Sequence, residues 1–201
     1  MGWREKFDLL REKVKSDEKF WALCDLHDPA SDEFIDSVQK TYPFVSDEYL
    51  EFLRYTDGCR IHYQCFLGSG APHFIPEWLF APSAFQCPAL FDEAQALSES
   101  LPKWRNVAEL GPFLPIASDG GAGSAEAYFL MLEDGRILEI DCETKKTSWD
   151  QVIANSFGEL LDNIIMGEKH YLLGCDDPGD WSPYNENDWT RFLNEQGWWV
   201  H

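Results

Sequence analysis

The chain is short of basic residues. Its 201 residues hold 16 Lys and Arg against 36 Asp and Glu, a formal charge of −20. That balance disfavours DNA or RNA as a partner, because phosphate contacts need Lys and Arg. Long apolar runs are also missing, and none approaches the roughly 20 residues of a membrane span. The start, Met-Gly-Trp-Arg-Glu-Lys, is charged and lacks the apolar stretch of a secretory signal. Gly2 invites a myristoylation reading, but Lys6 stands where that pattern needs Ser or Thr. Six cysteines (Cys24, Cys59, Cys65, Cys87, Cys142, Cys175) include no CxxC pair. Without a signal they read as free buried thiols rather than a disulfide framework. The expectation is a cytoplasmic protein with no membrane association.

Catalytic strings are equally scarce. There is no GxSxG elbow, and the five histidines show neither HExxH nor HxH spacing. Cys59, His62 and Cys65 offer zinc-ligand types, but no fourth ligand lies nearby, and strand geometry would place His62 opposite the two thiols. Asp176-Asp177-Pro178-Gly179-Asp180 falls short of a calcium loop, having Pro178 and no closing glutamate. The glycine-rich Ser118–Ser124 lacks the lysine and hydroxyl of a phosphate-binding loop and is followed by a strand pattern. It reads as a structural turn. No catalytic residue, cofactor or metal ligand is assigned.

What is present is a core. Apolar residues make up 44% of the chain and aromatics 15%, enough to exclude disorder and to fill one domain. The most ordered pattern runs from Phe113 to Gly167. Phe113–Ala117 and Ala125–Leu132 read as strands, and Asp134-Gly135 as a two-residue hairpin turn. Arg136–Asp141 reads as a third strand, Leu138 and Ile140 alternating with Ile137, Glu139 and Asp141, so that one sheet face is wetter. A loop then leads to a helix from Ser156. Ser156 and Glu159 have capping-box spacing, Phe157, Leu160, Leu161, Ile164 and Ile165 form one apolar face, and Gly167 ends it.

Elsewhere the pattern is mostly helical. Gly2 to about Cys24 predicts an amphipathic helix with Trp3, Phe7, Leu10, Val14 and Trp21 on one face. Its polar face mixes both signs, which favours packing on its own domain over a membrane or a calmodulin-like groove. Residues 1–20 hold six bases and five acids, so the remaining 181 residues carry about −21. Ser31 and Ser46 each precede acidic first turns and predict helix starts, with Phe34, Ile35 and Val38, then Tyr49, Phe52 and Leu53, facing inward. Arg60–Leu67 reads as one strand, Gly68–Pro88 as a proline-rich aromatic loop, and Ala89–Ser100 as a helix with Phe91, Ala94 and Leu97 inward. Residues 170–201 hold four of nine tryptophans and six acids to one base, with a last helix from Asn187 carrying Trp189, Phe192 and Leu193.

Two stretches together resemble the SUKH superfamily, whose namesakes include fungal cell-wall-synthesis regulators of the Smi/Knr type. Phe44-Val45-Ser46-Asp47-Glu48-Tyr49-Leu50-Glu51-Phe52-Leu53, with Thr56-Asp57-Gly58, is similar to the family's "P-x-D-Y-x-x-F-L-x-x-x-N-G" helix. Phe113-Leu114-Pro115-Ile116-Ala117-Ser118-Asp119-Gly120-Gly121 and Ala154-Asn155-Ser156-Phe157-Gly158-Glu159-Leu160-Leu161 resemble its "F-x-P-I-A-x-D-G-x-G" strand and "A-x-S-F-x-x-F-L" helix. The chain departs from the family in having Val45-Ser46 where Pro begins the helix and in its long 68–112 connection.

The resemblance implies a single α+β domain: a mixed, mostly antiparallel sheet with helices packed around it. The expected division is a helical segment over 1–30, a SUKH-like core over 31–167, and an acidic, Trp-rich extension over 168–201. The resemblance also implies a non-catalytic protein. Bacterial members are similar to immunity proteins that neutralise a cognate toxin, often a nuclease, and fungal members to regulatory scaffolds that bind cellular proteins. The acidic charge suits a basic toxin domain as partner. Aromatic anchors ringed by carboxylates are the expected contacts: Trp78, and Asp176, Asp177, Asp180, Trp181, Glu186 and Trp198. The competing reading of these indoles is that they dock the C-terminal helix.

Overall fold

A computed structural model describes residues 1–17, 20, 23–62, 64–70, 89–103, 109–119, 127–141, 151–173 and 188–199. Among these, seven strands form one sheet in sequence order: β1 (Cys24–Leu26), β2 (Cys59–Ile61), β3 (Gln64–Phe66), β4 (Phe113–Asp119), β5 (Ala127–Leu132), β6 (Ile137–Asp141) and β7 (Gln151–Ala154). Each pairs antiparallel with the next. The α+β class is as expected. The mixed sheet is not, because every strand pair is antiparallel and the only parallel element among the described residues is an isolated bridge between Gly68 and Ala89.

Local chemistry explains most elements. Helix α1 spans Trp3–Ser16 and buries Trp3, Phe7 and Leu10. It stops well short of the expected Cys24, which lies in β1, so the 1–30 segment is not purely helical but contributes an edge strand. Helix α2 (Asp32–Thr41) begins where Ser31 Oγ accepts the Phe34 amide, and α3 (Asp47–Tyr55) where Ser46 Oγ accepts that of Tyr49. Ser46→Ala removes that side-chain acceptor, leaving the Tyr49 amide only the residue 46 carbonyl at 3.1 Å, and is expected to lower stability by about 1 kcal/mol, read as a lower urea midpoint, while Ser46→Asp keeps it near wild type.

Residues 59–67 form a hairpin instead of one strand. His62 makes the reversal with a left-handed φ of 57°, a conformation that His tolerates better than most residues. The pairing sets Arg60 opposite Cys65 and Cys59 opposite Phe66. Cys59 and Cys65 therefore lie on opposite sheet faces, not on the shared face expected.

Strand β4 extends through Asp119, two residues into the stretch read as a glycine turn; residues 120–126 lie outside the described residues. Pro115 is tolerated inside β4 because β3 pairs only with Ala117–Asp119 and a bulge falls between Pro115 and Ala117. The β5–β6 turn takes three residues, not two. The Leu132 amide donates to Arg136 O at 2.9 Å, closing the loop over Glu133, Asp134 and Gly135. Only Gly135 has positive φ, 84°, as in a type I turn with a glycine bulge. Strand β7 occupies part of what read as loop.

Both sheet faces are covered. The larger core gathers α1, α2, α3, Phe66, Phe129, Met131 and Ile137 with the C-terminal helices. Helix α4 (Leu90–Ser100), continued by a 3₁₀ turn Leu101–Lys103, covers the other face, where Leu97 and Leu101 join Leu130, Leu138 and Ile140. Helix α4 thus covers the Leu138 and Ile140 side of the expected alternation, while on the other side Ile137 is buried in the main core and Glu139 stays half-buried.

Ser156 caps helix α5 (Phe157–Glu159), its Oγ accepting the Glu159 amide at 3.1 Å. The Glu159 carboxylate reaches back to the Asn155 amide, one residue before the expected position. After Glu159 the backbone widens into a π turn over Leu160–Ile165. Phe157, Leu160, Leu161, Ile164 and Ile165 are all fully buried. A 3₁₀ turn follows at His170–Leu172, and α6 (Asp188–Glu195) buries Trp189, Phe192 and Leu193 in the main core.

Candidate interaction surface

The helix starts gather carboxylates. N-terminal amides and the helix dipole favour acids in first turns, and Asp32, Glu33, Asp47, Glu48, Asp92 and Glu93 all occupy them. Asp32, Glu33, Asp36, Asp47, Asp92 and Glu99 are exposed. Glu48 and Glu93 are turned to internal work. Glu48 Oε2 accepts the Gly158 amide at 2.9 Å, tying α3 to α5. A Cβ on Gly158 would lie 2.6 Å from Glu48 Oε1, so a larger residue there would push the carboxylate aside. Glu93 accepts the Tyr128 hydroxyl and fixes α4 to β5.

Between α2 and α4 runs a string of half-buried rings. Phe34 meets Phe91 edge to face at 5.7 Å, Tyr42 stacks on Phe91 at 6.3 Å, and Phe44 meets Tyr42 at 6.1 Å. All four pack against the main core while keeping part of each ring exposed. Burial pushes the Tyr42 hydroxyl pKa above its ordinary value. Partly exposed rings on helices that also display carboxylates give a surface an apolar anchor and a negative field together.

A polar clasp holds the chain where it enters the 71–88 stretch. The Asp57 carboxylate accepts both the amide and the hydroxyl of Ser69, the amide at 2.6 Å. His27 Nδ1 lies 3.0 Å from Asp57 O, and its Nε2 lies 3.8 Å from the Asp25 carboxylate. Thr56 Oγ1 and the Arg11 guanidinium converge on His27 O. Gly68 lies against this clasp: an added Cβ would sit 2.4 Å from Asp57 O. These contacts join β1, α3 and the end of β3 into one brace. Cys24, Cys59 and Cys65 are buried and outside any disulfide, and burial drives the Cys24 thiol far up, away from its reactive thiolate form. Among the described residues no group of three or more His, Cys, Asp or Glu is arranged to hold a metal ion.

Of the contacts expected from the sequence, Trp78, Asp176, Asp177, Asp180, Trp181 and Glu186 lie outside the described residues. Trp198 is 8% exposed. Its ring stands edge to face with Phe192 at 5.6 Å and 5.3 Å from Lys6 Nζ. In the isolated chain this indole docks the C-terminal segment and offers little surface. The sequence reading missed the ring string. Phe34 and Phe91 were both read as inward, and Tyr42, the non-helical C-cap of α2, lies outside the helical spacing that could have linked it to them. No helix among the described residues is long and apolar enough to cross a membrane. Comparison with family models and with the curated proteins gives no match.

Proposed function

We propose that this chain is a non-catalytic binding protein of SUKH type that neutralises a basic toxin domain, of the nuclease kind, by covering its phosphate-binding surface. The reading rests on the −20 charge, with exposed acids on α2, α3 and α4 beside partly exposed rings. A nuclease surface built to receive phosphates presents Lys and Arg, which such a field attracts from a distance. The antiparallel α+β fold with its capped Ser46 and Ser156 helices is compatible with the SUKH resemblance.

The test mixes the chain with the toxin domain encoded beside it. Association is expected to slow by about tenfold or more between low and high salt, with the dissociation rate much less affected. A salt-independent association rate removes the electrostatic mechanism, and absence of a complex removes the reading itself.

A further inference from the structure

The C-terminal helix is joined to the sheet through a buried stack of three rings. His62, at the β2–β3 reversal, lies nearly parallel to the Trp189 indole of α6, 6.4 Å away at 14°. On another side it meets the His170 ring at 5.8 Å. His62 is 8% exposed, His170 2% and Trp189 0%. Two of the rings also close off the π turn. His170 Nδ1 pairs with Ile164 O at 3.0 Å, and Trp189 Nε1 donates to Ile165 O at 3.2 Å. The same few atoms thus hold the hairpin tip, the end of the π turn and α6 together.

Burial at that junction favours neutral imidazoles. Arg60 on β2 donates to His62 O at 3.3 Å, so a cation already borders the pair. On the hairpin side, Asp25 on β1 stands opposite Arg60 in the sheet. On the other elements that meet here, the charged groups are Asp162 on the π turn, Glu168 and Lys169 before the 3₁₀ turn, and Asp188, Arg191 and Glu195 on α6. Asp162 is engaged by Lys6, Lys169 by Glu159, and Asp188 by Arg191. Burial, helped for His62 by His170 and Arg60, lowers the histidine pKa values to about 3 and about 4.

We propose that His62 and His170 form an acid-release latch for α6: as neutral rings they clamp Trp189 in the core, and as cations they repel one another and Arg60 and let α6 leave while β4–β6 stay paired. The sign follows from linkage. An exposed histidine titrates near 6.5, above both buried values. The docked state is therefore fully favoured above about pH 6.5 and loses ground as pH falls from there, through about 4 for His170 and about 3 for His62. Each histidine adds up to about tenfold per pH unit to the open fraction.

Hydrogen exchange of the full chain at pH 7 and pH 5, corrected for the intrinsic pH dependence of exchange, tests this. Amides of 188–199 are expected to lose protection by about a hundredfold or more, while those of 127–141 lose less than about threefold. Equal protection of 188–199 at both pH values overturns the latch, and so does a parallel loss in the sheet. His62→Asn supplies a second reading, since Asn accepts the left-handed backbone. The acid response of α6 should fall to the slope of a single histidine, about tenfold per pH unit at most. An unchanged two-histidine slope in that variant would also overturn it.

Discussion

Phe52→Ala should cost about 4 kcal/mol, the loss expected when a buried Phe is cut to Ala in a core that collapses only partly. Phe52 is fully buried and sits among five rings: Trp3 at 6.5 Å, Phe7 at 5.8 Å, Tyr49 at 5.9 Å, Phe66 at 5.5 Å and Phe157 at 5.1 Å. Those five belong to α1, α3, β3 and α5. The cavity therefore opens at the junction of four elements, and no single element can move to fill it without leaving another. A domain with a typical reserve of about 5–15 kcal/mol would lose a large part of it. Chemical unfolding followed by circular dichroism should show the midpoint fall with little change in slope. A midpoint within error of wild type would mean the surrounding rings close the gap unaided.

Lys6→Met should cost about 2 kcal/mol, below the roughly 3–5 kcal/mol of breaking a fully buried ion pair, because one partner keeps some solvent. Lys6 is 6% exposed, yet its amine is engaged on every side. Nζ donates to Asp162 O at 2.8 Å and Met166 O at 2.9 Å, and the Asp162 carboxylate lies at 3.7 Å. Burial outweighs attraction at both partners, lowering the Lys6 pKa and raising that of Asp162. Met fills the stem's volume but leaves two carbonyls without a donor and the carboxylate without a cation. Adding Asp162→Asn should recover part of the loss, since the stranded charge is then gone. A double variant no more stable than Lys6→Met alone would show that the carbonyls, not the charge, carry the effect.

Legibility in the sequence followed how local each cause is. The Ser31, Ser46 and Ser156 starts were readable because a cap and its amide lie three residues apart. The π turn was not, since Phe157, Leu160, Leu161, Ile164 and Ile165 give nearly the same apolar spacing whether the backbone winds tightly or widens. Strands β1 and β7 were missed for another reason. Cys24–Leu26 is three residues with a central Asp25, and Gln151–Ala154 exposes Gln151 and Val152. Neither segment has a strand pattern of its own, and each is drawn into the sheet by the neighbour it pairs with. His62 hid the β2–β3 reversal because no glycine, proline or asparagine announced it. At the surface, exposed acids were countable from composition. The inward turn of Glu48 and the meeting of Phe34, Tyr42 and Phe91 were not, because both depend on how separate helices cross.

The unbroken sheet order bears on how the chain finds its fold. Strands β4 to β7 are joined one to the next within residues 113–154, so that half can zip together through short loops, on the timescale of hairpins. Strand β3 must wait for β4 across residues 67–112, and the entropy of closing that connection falls on the transition state. Because closure entropy rises only logarithmically, doubling the connection would add about 0.6 kcal/mol to the barrier. Within this fold, the 67–112 connection is therefore the place where added length slows folding least for the number of residues gained.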